Sequence, residues 1–153
     1  RRDRPFHPRR PGGRTAGPPG RDLGDGEAAL RGEFEKLAIA EPGAAPYGQA
    51  AVETLQTLGL YDAIAARLVT GSNISQTLQF VESGNAELGF VAASQVLNKD
   101  DVWLVPASHH GPIAQGAVLL KAGENNSAAA AFLDFLRSAE AVAVIEAAGY
   151  SVP

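Results

Sequence analysis

Short apolar runs that stop at glycine or proline, each followed by a stretch of helical period, constrain this chain more than any other feature. Leu37-Ala-Ile-Ala40 gives way to Glu41-Pro-Gly-Ala-Ala-Pro-Tyr-Gly48, and Tyr47–Leu58 then places Ala51, Leu55 and Leu58 on one helical face before Gly59 stops it. Taken alone, Leu-Ala-Ile-Ala fits a short buried strand or a helix equally well. Tyr61–Leu68 reads as a second short helix leading into a strand near Leu68–Val69. The second junction, Leu68-Val-Thr-Gly-Ser-Asn73, runs into Ile74–Val81; Asn73 with Gln76 three residues on is a capping-box-like start, and Ser83-Gly84 an end. Leu88–Ala92, Val102–Val105 and Ala117–Leu120 are further buried-strand candidates. After Gly123–Asn126 the pattern turns helical, with Ala129, Phe132, Leu133 and Leu136 as one stripe and Val142, Ile145 and Ala148 as another, closed by Gly149. Strands alternating with helices predict an α/β fold, a parallel or mixed sheet with helices on its faces. No internal repeat is visible.

Composition sets the outer bounds. At 153 residues and 45% apolar, the chain is long enough for one domain with a core. No apolar run approaches the roughly 20 residues of a membrane span. With no cysteine, disulfides, thiolate metal sites and thiol catalysis are excluded. The net charge of −4 conceals an asymmetry: Arg1, Arg2, Arg4, Arg9, Arg10, Arg14 and Arg21 face a single acid, Asp3, within residues 1–21. A basic arm on an acidic body suits a nucleic-acid tail, but this one has no aromatic residue beyond Phe6 and no period. Its Arg/Pro/Gly composition is what GC-rich coding DNA yields out of frame. Residues 1–21 are therefore expected to be disordered and non-native, with no nucleic-acid partner. They also lack the apolar core of a signal peptide.

The two junctions are where chemistry is expected. Each opens a helix with small or polar residues and no lysine or arginine nearby. A helix start presents unpaired N–H groups and the positive end of the helix dipole, so two of them can hold an oxyanion without a cation. Pro46 suits a first helical turn because it has no N–H to lose there. Tyr47 and Gly48 then offer backbone donors, with the Tyr47 hydroxyl as an extra one; behind Asn73, Ile74, Ser75 and Gln76 offer theirs. In parallel sheets ligands sit beyond the carboxyl ends of strands, where both junctions fall. Elsewhere the signals are structural. His109-His110 reads as a proline-flanked loop rather than a metal site, and Asp100-Asp101 as a turn, with Glu82 and Glu87 flanking another. Asn125-Asn126-Ser127 matches a glycosylation sequon but reads as a helix cap at Asn126 or Ser127. Ser94 and Ser108 have no His/Asp partner at a recognisable spacing, and no phosphate loop or dinucleotide fingerprint occurs. No catalytic set emerges, so an enzyme is not expected.

Several segments resemble one family. Leu37-Ala-Ile-Ala-Glu-Pro42, Ala45-Pro-Tyr-Gly48, Leu55-Gln-Thr-Leu-Gly-Leu60, Asn73-Ile-Ser-Gln-Thr-Leu-Gln-Phe-Val81, Gly84-Asn-Ala-Glu-Leu-Gly-Phe-Val91, Trp103-Leu-Val-Pro106, Ala131-Phe-Leu-Asp-Phe-Leu-Arg-Ser138 and Ala148-Gly-Tyr150 resemble the molybdate-binding proteins of bacterial molybdate ABC transporters, in family order from about Gly24 to Pro153. The resemblance implies a type II periplasmic-binding-protein-like fold, a periplasmic location, an ABC permease as partner, and molybdate or tungstate as ligand rather than any cofactor. Molybdenum would then be held as its oxyanion and not by direct metal ligands. By position the resemblance puts Tyr47 and Ile74 at anion contacts made largely through backbone N–H, flanked by Pro46, Gly48 and Ser75. Where some relatives carry a second anion-contacting tyrosine this chain has Ala92, so Tyr47 is expected to be the only phenol at the site. A fully deprotonated oxyanion accepts hydrogen bonds only, so neutral donors suffice and a site without a carboxylate acceptor gains nothing from hydrogen phosphate.

The resemblance also implies a division: residues 22–116 as lobe two, and 117–153 as a crossing strand and C-terminal helices that return to lobe one. Lobe one itself, with its early Ser or Thr ligands, is expected ahead of Gly24, where residues 1–21 do not resemble it. About three donors fewer, at roughly 1.5–3 kcal/mol each for bonds to a charged group, would lower affinity roughly 10³- to 10⁶-fold. Relatives are monomers; the apolar faces of the 127–148 helices would favour association here. Two other readings stand beside this one. A ligand-sensing domain of a transcription regulator would need a helix-turn-helix, and a binding protein for another oxyanion such as sulfate would differ only in pocket radius. The upstream nucleotide sequence tests the reading of residues 1–21. A long open frame joining near residue 22 is expected, and an intact start codon just before Arg1 would contradict it.

Overall fold

Leu37–Ala40 is buried along its whole length and forms the central strand, β1, of the sheet. The structure is a computed structural model and describes residues 26–152; the segment 1–21 read as disordered lies outside them. Ahead of β1 stands α1 (Gly26–Arg31), a short helix the sequence pattern did not announce, held by a Glu27–Arg31 pair at 2.7 Å. After β1 come α2 (Pro46–Thr57), α3 (Tyr61–Ile64) with a 3₁₀ turn (Ala65–Arg67), and β2 (Leu68–Gly71). Then follow α4 (Ile74–Glu82) and β3 (Leu88–Gly89). The chain ends in α5 (Ser127–Phe135) and α6 (Ala139–Ala147).

The sheet is parallel with order β2-β1-β3, Ala40 lying opposite Gly71 and Ala38 opposite Gly89. The chain crosses to one side of β1 and then to the other, so the switch point lies beyond the carboxyl end of β1. The core is Leu30, Leu37, Ile39, Ala51, Leu55, Leu60 and Ile64, with Leu58 half-buried against it. Each fully buried leucine or isoleucine contributes about 1.5–3 kcal/mol, so this face of α2 anchors the helix to the sheet. Arg67 seals one edge, its guanidinium 4.2 Å over the Phe34 ring and donating to the Phe34 carbonyl.

The local signals hold closely. Asn73 Oδ1 accepts the Gln76 N–H at 2.9 Å, and Gly59 and Gly84, at φ +67° and +73°, follow the ends of α2 and α4. Asn126 caps α5, accepting from Ala128 and Ala129.

Of the strand expectations, one is shortened and two fail. The Leu88–Ala92 strand stops at Gly89 because the chain bends into a 3₁₀ turn (Ala93–Gln95), where the Gln95 side chain takes the Ala92 N–H. Val102–Val105 carries no regular structure: Trp103 packs onto Gly26, while Leu104 is exposed, and no ladder bonds the segment to the sheet. Ala117–Leu120, expected as a crossing strand, is likewise irregular, with Val118 78% and Leu120 69% exposed. A strand exists only with a hydrogen-bonded neighbour, and among the described residues none lies beside either segment.

α5 and α6 keep their apolar stripes but bury little of them. Phe132 is 58% and Val144 66% exposed, and Ala141 is the buried residue of α6. Tested alone, the chain is expected to bind an apolar-surface dye and to sediment above monomer mass. A monomeric profile with little dye fluorescence would contradict this.

Candidate functional site

Both sequence-predicted helix starts rise from the carboxyl ends of adjacent paired strands. The Glu41 N–H donates to the Gly71 carbonyl at 2.8 Å, tying the end of β1 to the end of β2 at the point where the two junctions begin. Two buried glycines bring each helix start close to a strand end. A Cβ on Gly48 would lie 2.1 Å from the Ala40 carbonyl oxygen, and one on Gly71 would lie 2.8 Å from Thr77 Oγ1 and 2.9 Å from the Thr77 N.

The donors divide unevenly. At α2, Ala45 is the N-cap and has no side-chain oxygen to offer. The Gly48 N–H, expected to be a free donor, is taken by the Ala45 carbonyl at 2.9 Å because the first turn is tightened, and Pro46 has no N–H at all. The Tyr47 N–H has no backbone partner among the described residues. At α4, Asn73 satisfies Gln76 through its side chain and Thr77 through its carbonyl, while the Gln76 side chain reaches back to the Ser72 N–H at 2.7 Å. The N–H groups of Ile74 and Ser75 have no partner among the described residues. Tyr47, Ile74 and Ser75 therefore present three backbone donors on two positive helix ends.

Among the described residues, none of the hydrogen bonds or ion pairs made by lysine or arginine side chains involves either helix start. Lys99 pairs with Glu82 at 2.9 Å, at the opposite end of α4. The Glu41 carboxylate is exposed and accepts from the Gly43 N–H. His109 and His110 belong to a loop docked on the flank of α2, where Thr57 Oγ1 donates to the His109 carbonyl and the Gly111 N–H to Glu53 at 2.7 Å. That N–H, with help from Gln49, holds the Glu53 carboxyl below the usual carboxylate range. Among the described residues, no group of three His, Asp or Glu side chains is placed to hold a metal ion.

Beyond β3, two residues far apart in the sequence come together, Ser94 and Tyr150. Gly149, at φ +86°, turns the chain after α6 so that its own Cα faces Leu97 and the Ser94 N, and Tyr150 then lies against the loop that follows β3. The Tyr150 hydroxyl is 3.3 Å from Ser94 Oγ. Its other neighbour is Tyr47. Burial first, then the charge and hydrogen bond of Tyr150, push the Tyr47 phenol above the ordinary tyrosine range. Ser94 and Tyr150 are 56 positions apart, so no local spacing signals the pair.

The α/β domain thus presents neutral donors beyond the ends of β1 and β2. The chain belongs to the bacterial extracellular solute-binding proteins, whose family model matches residues 14–151. That span opens ahead of Gly24, inside the arginine-rich segment. The molybdate-binding protein ModA of Rhodobacter capsulatus is 48% identical over 128 residues, 82% of this chain and 51% of that protein. ModA of Azotobacter vinelandii is 46% identical over 132 residues, covering 83% and 52%. Among solved structures, the Azotobacter vinelandii periplasmic molybdate-binding protein superposes with a TM-score of 0.75 at 34% identity, over 92% of this chain and 63% of that one. The fold is that of the periplasmic binding proteins, and the chain spans about half the length of the curated relatives it matches.

Gly48→Ala tests the close approach that positions the first helix start. Backbone must move to admit the methyl group, so a loss of about 2 kcal/mol or more is expected in thermal unfolding. The exposed Gln56→Ala is the control, expected to stay within about 0.5 kcal/mol. Equal stability of the two variants would contradict the packing described.

Proposed function

We propose that this chain carries half of a molybdate site in an ABC uptake system and acts by binding, not by catalysis. The observation that carries the reading is the set of three backbone donors, Tyr47, Ile74 and Ser75, without partners among the described residues, on two helix starts tied together by the Glu41–Gly71 bond. Names of the relatives supply the ligand class, and the donor set agrees with it. Molybdate and tungstate are fully deprotonated near neutral pH and only accept hydrogen bonds, so fixed N–H groups and helix dipoles serve them without a counter-charge.

In this reading residues 22–116 are the second lobe of a two-lobed binding protein. Residues 117–153 return toward the first lobe, which is where the exposed faces of α5 and α6 find their cover. The protein works outside the cytoplasmic membrane and hands its anion to the permease. The anion is cargo, and no cofactor takes part.

Three donors to a charged group contribute roughly 5–9 kcal/mol before the cost of association, which is too little for tight binding by these residues alone. Molybdate added to the isotopically labelled chain is expected to shift the amide signals of Tyr47, Ile74 and Ser75 first, and calorimetry to give a Kd weaker than about 1 µM. Amide shifts confined to the arginine-rich segment would overturn the reading, and sub-micromolar affinity would overturn the division of donors.

A further inference from the structure

Outside its buried face, α2 carries a polar row, Gln49, Glu53 and Thr57, in line along the helix at a spacing of one turn. The 106–111 loop lies on that row. The Thr57 hydroxyl donates to the His109 carbonyl at 3.1 Å, the Gly111 N–H donates to one Glu53 carboxylate oxygen at 2.7 Å, and the Gln49 amide donates to the other at 2.9 Å. A 3₁₀ turn (Ala107–His109), closed by the His109 N–H on the Pro106 carbonyl, gives the loop its shape. Beyond Gly111 the grip ends. Among the described residues, 112–126 bond only to one another and to the first turn of α5, and all but Ile113, Leu119 and Gly123 are exposed. The next hydrogen bond back to the sheet side is that of Tyr150 with Ser94, beside Gly149 packed on Leu97.

We propose that residues 112–148 form a strap clasped to the sheet domain at its two ends, and that a proton on the Glu53 carboxylate releases the first clasp alone. This goes beyond the anion site and does not depend on it. An amide bonded to an ionised carboxylate is held roughly twice as strongly as by a neutral acceptor, so the grip on Gly111 follows the charge of Glu53. The Gly111 N–H first, and the Gln49 amide second, hold that carboxyl below the usual range. The clasp is therefore present at neutral pH and is lost as pH falls through the lowered value. His110 is the charged group that faces Glu53; its Nδ1 lies 2.7 Å from the Gly111 carbonyl, and when protonated it helps to keep the carboxylate ionised. His109 turns its ring toward Trp103, centroids 6.3 Å apart, and bonds α2 through its carbonyl. The hydrogen bonds and ion pairs of lysine and arginine among the described residues lie elsewhere. At the other end two hydroxyls pair and a glycine at φ +86° packs on Leu97, so no group there changes charge in acid. Release is one-ended: 107–126 comes free while Tyr150 stays.

The test is an acid titration of the whole, isotopically labelled chain followed by magnetic resonance, with no ligand added. The Gly111 amide shift is expected to move in one step together with the Glu53 side-chain carboxyl, below the usual glutamate range, while the Ser94 and Tyr150 signals hold still. In Glu53→Gln, which keeps the shape and loses the charge, that step is expected to vanish. At one fixed near-neutral pH the Gly111 N–H of this variant is expected to exchange roughly three- to tenfold faster than in the parent. A Gly111 shift that stays flat in the parent, or that titrates unchanged in Glu53→Gln, would overturn the clasp. Ser94 and Tyr150 signals that move together with Gly111 would overturn the one-ended release. Since no anion enters the experiment, its outcome is separate from that of the molybdate titration.

Discussion

Everything at the candidate site depends on how closely two helix starts approach two strand ends. Gly48 sets its backbone against the Ala40 carbonyl, and Gly71 sets the end of β2 against the first turn of α4. Each contact excludes any side chain larger than hydrogen. Because β1 and β2 are paired in parallel, and the Glu41–Gly71 bond extends that pairing by one residue, the two helix starts are fixed relative to each other through backbone alone. The core under them, centred on Leu37, Ile39 and Leu55, supplies the rigidity that unpaired donors need if they are to stay pointed at solvent.

The chemistry follows from what the helix starts lack. Ala45 provides no cap, and Asn73 provides one that reaches Gln76 but leaves Ile74 and Ser75 open. An uncapped N–H at a solvent-facing helix end is satisfied by water, and the same direction serves an anion. Placing a lysine there would have given tighter and less selective anion binding. Neutral donors serve ligands that are already fully deprotonated, because such ligands only accept hydrogen bonds.

What was legible in the sequence was local. The Asn73–Gln76 pair, Gly59, Gly84, Gly149 and Asn126 each act within a few residues, and the helices they delimit stand where the pattern put them. β1 and β2 followed because an apolar run between such helices has only the sheet to join. Val102–Val105 and Ala117–Leu120 misled for the converse reason: their apolar residues announce burial, but a strand needs a neighbour, and pattern does not say where the neighbour is. Of the five residues read as the site, Tyr47, Ile74 and Ser75 present open donors, whereas Gly48 is consumed by a tightened first turn and Pro46 has no proton to give. The Ser94–Tyr150 contact was not legible, because it is made by tertiary return of the chain over 56 positions. The apolar faces of α5 and α6 were legible as stripes, and their exposure shows that amphipathic pattern specifies a face without specifying its cover.

Anomalous scattering from molybdenum in crystals of the chain grown with molybdate tests the central claim most directly. The account predicts a peak beyond the carboxyl ends of β1 and β2, with its oxygens within hydrogen-bond distance of the Tyr47, Ile74 and Ser75 backbone nitrogens and no arginine or lysine among its contacts. A peak held by basic side chains away from both helix starts, or one at the junctions that touches neither the Tyr47 nor the Ile74 nitrogen, would contradict it.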